Sequence, residues 1–193
     1  KILNKDFCFI PGHPIAGTEE SGPKAGLLDL FKNRWFIITP GKLTKAKQKK
    51  QIEQVWKKFG SKVTTMSAQS HDNIMAITSH IPHLIAYNIV GTASKLEEKI
   101  KSEVIKFSAS GFRDFTRIAS SDPTMWRDIV ISNKNQILFM LKRFNKDLNH
   151  LEKAIRSENK KELFNIFKNT RNIRKKIIQA GQDSKAANFG RKN

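Results

Sequence analysis

The hydrophobic rhythm of the chain changes at about Ser67. Before it, short apolar runs are bounded by Gly and Pro; after it, apolar residues recur at helical spacing. Phe7-Cys8-Phe9-Ile10 reads as a buried strand that stops at Pro11-Gly12. The stretch from Pro14 to Pro23 is dense in Gly and Pro and reads as an ordered loop. Arg34 to Thr39 predicts a second strand, closed by Pro40-Gly41. Thr44 is the expected N-cap of a helix running to about Phe59, with Ile52, Val55, Trp56 and Phe59 at 3-4 spacing and Gly60 as its stop. Lys62 to Met66 predicts a third strand. Strand, loop, strand, helix, strand is the tail of an α/β sheet.

No convincing strand pattern follows Ser67. Residues 68–95 are helical in pattern, with Pro82 expected to kink or divide the run. Residues 97–107 and 112–120 predict short helices separated by Ser108-Ala109-Ser110-Gly111. Ser121-Asp122-Pro123 then reads as a cap with Pro in the first turn. Ile137, Leu141, Phe144, Leu148, Leu151 and Ile155 step alternately by four and three, a heptad seam. After Ser157-Glu158-Asn159, Leu163, Ile166, Phe167, Ile173 and Ile177 form a second stripe. Two long helices across a short break are expected to pack antiparallel. The seam fits an intrachain hairpin or a subunit interface, and the pattern leaves both open. Ala180 to Asn193 is polar and is expected to be irregular. The fold class expected is mainly α, with an α/β segment in front.

Composition narrows the function classes. The chain has 193 residues, 36 Lys and Arg against 17 Asp and Glu, and a formal charge of +19. One cysteine, Cys8, excludes a disulfide framework or a Cys-rich zinc site. Apolar runs such as Trp35-Phe36-Ile37-Ile38 are too short to span a bilayer, and no signal peptide is visible, so a cytoplasmic protein is expected. A first residue that is not Met suggests a fragment of something longer. The charge invites anionic partners, nucleic acid among them. It is unevenly placed: residues 68–133 hold 7 basic and 7 acidic residues, while residues 134–193 hold 16 against 5. The excess is mostly Lys along helix surfaces, as in Lys45-Ala46-Lys47-Gln48-Lys49-Lys50, without zinc-finger spacing or an aromatic reading strand.

Chemistry concentrates elsewhere. The histidines are His13, His71, His80, His83 and His150. Pro14 pushes His13 toward an extended conformation, so His13 is expected at the end of a strand, facing the Gly-rich loop where open α/β sheets bind ligands. A structural His is the competing reading. His80 and His83 flank Pro82, three apart on one helical face. No Cys and no carboxylate pair joins them, so no metal site is expected. The break is expected to present one imidazole to a cleft, against the alternative of a hydrogen-bonded structural His. Asp114 and Arg117 are three apart in Gly111-Phe112-Arg113-Asp114-Phe115-Thr116-Arg117; Arg suits a carboxylic acid substrate, and an ordinary ion pair is the alternative. Trp126 fits either core or a pocket wall. There is no G-x-G-x-x-G, P-loop, G-x-S-x-G or H-E-x-x-H.

Several blocks, in order, resemble the prephenate/arogenate (cyclohexadienyl) dehydrogenase family. They are His13-Pro14-Ile15-Ala16-Gly17-Thr18-Glu19-Glu20-Ser21-Gly22, Asp29-Leu30-Phe31, Ile38-Thr39-Pro40, Ser79-His80-Ile81-Pro82-His83, the Gly111 to Ala119 block and Asp122-Pro123-Thr124-Met125-Trp126. The resemblance continues to Ala180-Gly181-Gln182-Asp183 and Phe189-Gly190-Arg191 and spans essentially the whole chain. It implies that residues 1–67 are the C-terminal remnant of a truncated, Rossmann-type NAD(P)-binding domain and residues 68–193 a helical dimerisation and substrate domain. The implied activity is oxidative decarboxylation of prephenate or arogenate with NAD or NADP, toward tyrosine, in a homodimer that binds neither nucleic acid nor membrane. Absence of the glycine-rich loop implies a chain inactive by itself. Residue by residue, the resemblance makes His13 the catalytic base and Arg117 the substrate-carboxylate arginine, oriented by Asp114. His83 becomes a pocket histidine with His80 beside it, Thr18 and Glu19 substrate contacts in the loop beside His13, with Glu19 sensing a keto or an amino side chain, and Trp126 a pocket wall from the same chain or across the dimer. Two rival readings stay open: a basic helical module for nucleic acid or an acidic partner, and a purely structural dimerisation domain.

Overall fold

The computed structural model describes residues 7–17, 22, 26–96 and 98–179. They form two compact units, Lys1–Leu141 and Lys142–Asn193. The first opens with a three-stranded sheet, β1 (Gly12–Pro14), β2 (Trp35–Ile38) and β3 (Lys62–Thr65), in the order β1-β2-β3. β1 runs antiparallel to β2, with His13 opposite Ile37; β3 runs parallel to β2, with Val63 opposite Phe36. Helix α1 (Ala46–Lys58) is the crossover that a parallel pair requires.

The aromatic packing explains why this small sheet holds. Phe36, Ile37 and Ile38 are buried, and the Phe36 ring stacks on Trp56 of α1 at 3.9 Å. Phe31 meets the same indole edge-on at 4.9 Å. Gly12 sits against the outer end of the Phe36 ring, where an added Cβ would clash with Cζ. Gly60 has φ 81°, the left-handed conformation that stops α1.

Two expectations are corrected here. Residues 7–10 are not a strand; the strand begins at Gly12. Phe7 and Phe9 are exposed, and their segment lies along the loop before α1, with Phe9 N–H donating to Leu43 O at 3.3 Å. Thr44 is not the N-cap of α1 either, because its hydroxyl is already committed. It accepts from Gly41 N–H and donates to Phe9 O at 2.7 Å, leaving Lys45 at the cap without a side-chain bond. Pro14 is tolerated in β1 because that strand is at the sheet's edge.

The helical part of the first unit begins with α2 (Ala68–Met75), capped by Ser67 Oγ accepting from Ser70 N–H. A single π turn (Ala76–His80) follows, and α3 (Ile81–Ser94) continues with Pro82 in its first turn. Pro82 therefore does not divide the run. The wider turn absorbs the missing N–H, with Ile81 N–H reaching back to Ala76 O. Next come α4 (Glu98–Phe107), α5 (Ser110–Thr116), a 3-10 turn (Arg117–Ser120) and α6 (Pro123–Ser132). Asp122 caps α6 as expected, its Oδ1 accepting from Met125 N–H at 2.7 Å. Helix α7 spans Lys134–Arg156, and its first turns supply Ile137 to a core with Ala76 and Ile81. Leu84, Ile85, Val130 and Met140 pack around them.

In the second unit α7 ends at Ser157-Glu158-Asn159, where Glu158 adopts φ 50° and Asn159 Oδ1 caps α8 (Lys160–Gln179) by accepting from Glu162 N–H. His150 Nε2 lies 2.9 Å from Glu162 Oε1, so the chain turns back on itself as an antiparallel hairpin. Ala154 is buried, but Leu148, Ile155, Phe164, Phe167, Ile173 and Ile177 are exposed. The heptad seam is thus only partly used within one chain. The expected irregular tail, residues 180–193, lies outside the described residues.

Candidate active site

The polar chemistry of the first unit gathers where β1 meets the π-containing helix. His13, in the middle of β1, places its Nδ1 2.9 Å from Nε2 of His71 on α2. The two rings meet edge-on with centroids 5.2 Å apart. His71 Nδ1 lies 2.9 Å from Asp72 Oδ1. His13 was expected at the end of a strand, but it lies in the middle of one, because residues 12–14 are the ones that pair with β2. Its extended backbone, however, is the one Pro14 demands.

His80, in the π turn, is buried. Its Nδ1 is 3.2 Å from Asn133 Nδ2, and the same amide donates to Asp72 O at 2.9 Å. A carboxamide nitrogen has two N–H donors and no acceptor, so His80 Nδ1 accepts. His83, one turn on, uses Nδ1–H to donate to Ser79 O at 2.9 Å, which leaves Nε2 for another partner. Both rings touch Trp126: His83 is stacked on it at 3.8 Å, and His80 meets it edge-on at 6.1 Å. The shared face expected for His80 and His83 is therefore real, and Trp126 lines it within the same chain. Tyr87 Oη donates to Ser121 O at 2.7 Å, which ties α3 to the turn that launches α6 and so seats Trp126 over His83.

Burial sets the charge of this group. His13, His80 and His83 are all held below the ordinary histidine value of 6.5, chiefly by desolvation. Neighbouring His71 adds to the effect at His13, and His71, His83 and His13 add to it at His80, opposed by Asp72. At His83 the Ser79 carbonyl opposes desolvation, while the positive charge of Arg117 favours the neutral ring. The three imidazoles are neutral at neutral pH, the state in which one can accept a proton.

Arg117 begins the 3-10 turn, half-buried and electrostatically felt by His83. Asp114, on α5, lies 3.4 Å from Arg113 Nε. Thr18 and Glu19 lie outside the described residues. Sequence reasoning missed His71, Asp72 and Asn133. His71 and His80 are nine residues apart, about two and a half α-helical turns, and so read as opposite faces; the π turn alters that register. Among the described residues, no group of three or more His, Cys, Asp or Glu is arranged to hold a metal ion, and no helix is long and apolar enough to cross a membrane.

A short βαβ unit, an adjoining helical array, and neutral imidazoles beside an arginine make up the site on a mainly helical frame. Comparison with known proteins gives its family. Residues 67–169 match the prephenate dehydrogenase dimerization domain, and residues 1–65 the prephenate dehydrogenase nucleotide-binding domain. The chain belongs to the prephenate dehydrogenase family. It is 40% identical over 166 residues to a cyclohexadienyl dehydrogenase of Zymomonas mobilis, covering 86% of this chain and 57% of that protein. It is 34% identical over 174 residues to a prephenate dehydrogenase of Bacillus subtilis, covering 90% of this chain and 47% of that one. The crystal structure of prephenate dehydrogenase from A. aeolicus, in complex with hydroxyphenyl propionate and NAD+, superposes with a TM-score of 0.82 at 39% identity, covering 88% of this chain and 59% of that one. The chain thus spans about half the length of the curated relatives it matches.

Proposed function

We propose that this chain supplies the substrate side and the proton acceptor of a dehydrogenase that oxidatively decarboxylates prephenate or arogenate, acting as a homodimer. The observation that carries the reading is His13, held neutral in an extended strand and hydrogen-bonded through Nδ1, which leaves Nε2 for a substrate hydroxyl. Oxidation of the ring carbinol needs that hydroxyl to lose its proton, and a neutral imidazole within hydrogen-bond reach can take it. Loss of CO2 then aromatises the ring and needs little acid–base help. Arg117 would hold a substrate carboxylate through paired N–H donors, beside the neutral His83. Trp126, stacked on His83, would wall the ring's site, and Thr18, Glu19 and Asp114 are further substrate contacts carried by the resemblance.

The residues present do not form a dinucleotide cradle: the sequence has no G-x-G-x-x-G. The hydride acceptor, NAD or NADP, would be held by a glycine-rich segment joined to this chain in a complete enzyme, and the chain by itself would not turn over. The exposed apolar residues of α7 and α8 suit a second copy, in keeping with the dimerization-domain match, which covers them as far as residue 169. The test is turnover of prephenate and arogenate by the complete enzyme with His13→Asn. Loss of turnover with hydroxyphenyl propionate still bound supports the base role; unimpaired turnover refutes it.

A further inference from the structure

We propose that His71 and Asp72 are positioning residues that fix the tautomer of His13, so that its basic lone pair is on Nε2. The proposal rests on the reading of His13 as the proton acceptor and adds what makes it one. It follows from a chain of two short contacts. Asp72 Oδ1 is 2.9 Å from His71 Nδ1, and an ionised carboxylate only accepts, so His71 Nδ1 carries the hydrogen. A neutral His71 then has its lone pair on Nε2. That atom faces His13 Nδ1 at 2.9 Å. Two lone pairs cannot face each other at that distance, so His13 Nδ1 must donate. A neutral imidazole has one N–H, and Nε2 of His13 is left unprotonated and basic.

Alone, a histidine side chain in water favours the opposite form, with the hydrogen on Nε2, which cannot accept a proton there. The Asp72-His71 pair reverses that preference through the His13 Nδ1 contact alone. It also keeps the charge count low: when His13 becomes an imidazolium, its Nδ1–H already points at a neutral acceptor. The helix provides the rigidity. Asp72 and His71 are in the middle of α2, and the Asp72 carbonyl is pinned from the other side by Asn133 Nδ2 at 2.9 Å.

The measurement is long-range 1H–15N correlation on this chain with 15N-labelled histidine, above the pH at which the imidazoles titrate, with His13 assigned by its loss in His13→Asn. The expected spectrum shows His13 with Nδ1 protonated and Nε2 bare. In His71→Phe the acceptor is gone, and His13 should shift several-fold toward the Nε2–H form. In His71→Gln the side-chain oxygen can accept the same hydrogen and should restore the original form. The His80 signals report whether each variant keeps its fold. An Nε2–H form of His13 in the unaltered chain, or a tautomer ratio indifferent to His71→Phe while His80 is unmoved, overturns the proposal. Failure of the base reading appears separately, as turnover surviving His13→Asn in the complete enzyme, and would leave the tautomer assignment standing.

Discussion

The imidazole of His83 lies face to face with the indole of Trp126, centroids 3.8 Å apart and planes 23° from parallel. This contact joins α3 to α6 and buries Trp126 almost completely. Among the described residues the indole Nε1 finds no hydrogen-bond partner. Stacking on His83 and the edge contact with His80 hold the ring. Trp126→Phe should cost less than about 1.5 kcal/mol, and Trp126→Ala about 3–5 kcal/mol, measured by denaturant unfolding. Equal losses in the two variants would show that Nε1 matters after all.

Arg117 carries the prediction for substrate binding. Arg117→Ala should weaken hydroxyphenyl propionate binding by about 2–5 kcal/mol if the carboxylate is buried beside His83. Arg117→Lys should recover only part, since an ammonium cannot pair both oxygens in a fork. Titration calorimetry reads both. An unchanged Kd in the Ala variant would remove Arg117 from the site.

Stability should fall with acid in a defined window. His13, His80 and His83 have folded values below 6.5, so the unfolded chain binds protons more readily than the folded one. Their contribution is complete above about pH 6.5, near the unfolded value, and is lost as the pH falls through the depressed folded values. The thermal midpoint, followed from neutral pH downward, should drop across that range. His80→Gln should flatten the drop; a slope identical to that of the unaltered chain would assign the effect elsewhere.

Gly12→Ala tests the seat of His13. The added methyl would meet the Phe36 ring, which cannot swing away because it is buried and stacked on Trp56. Overpacking of this kind costs about 1–3 kcal/mol, readable by urea unfolding. Phe36→Leu should relieve part of that cost in the double variant, and simple additivity would argue against the clash.

The exposed stripe of α8 predicts association. Phe167→Glu or Ile173→Glu should shift the chain from dimer to monomer in light scattering, with little change in helix content by circular dichroism. A monomeric unaltered chain would leave those apolar residues without the role given them.

The elements that local chemistry dictates were legible in the sequence. The Trp35–Ile38 strand, the stop at Gly60, the Asp122 cap and the break at Ser157 each follow from a residue whose preference is strong and local. Family blocks around His13, His83, Arg117 and Trp126 were legible as well. Thr44 was misread because its hydroxyl answers a tertiary partner, Phe9 O, rather than its own helix. Residues 7–10 have the composition of a strand, yet a strand needs a neighbour, and pairing begins only at Gly12. His71 was passed over because its role depends on a ring 58 residues away in sequence, which no spacing rule reports.

The π turn at Ala76–His80 carries a consequence for inheritance. It is one residue more than an α-helix would use between Met75 and Ile81, and that surplus orients His80 and His83 relative to His71. Loss of one codon from Ala76 to Ser79 would leave all three histidines in the protein and remove the surplus residue that sets how His80 and His83 face relative to His71. At this segment the length of the message is under the same constraint as its content.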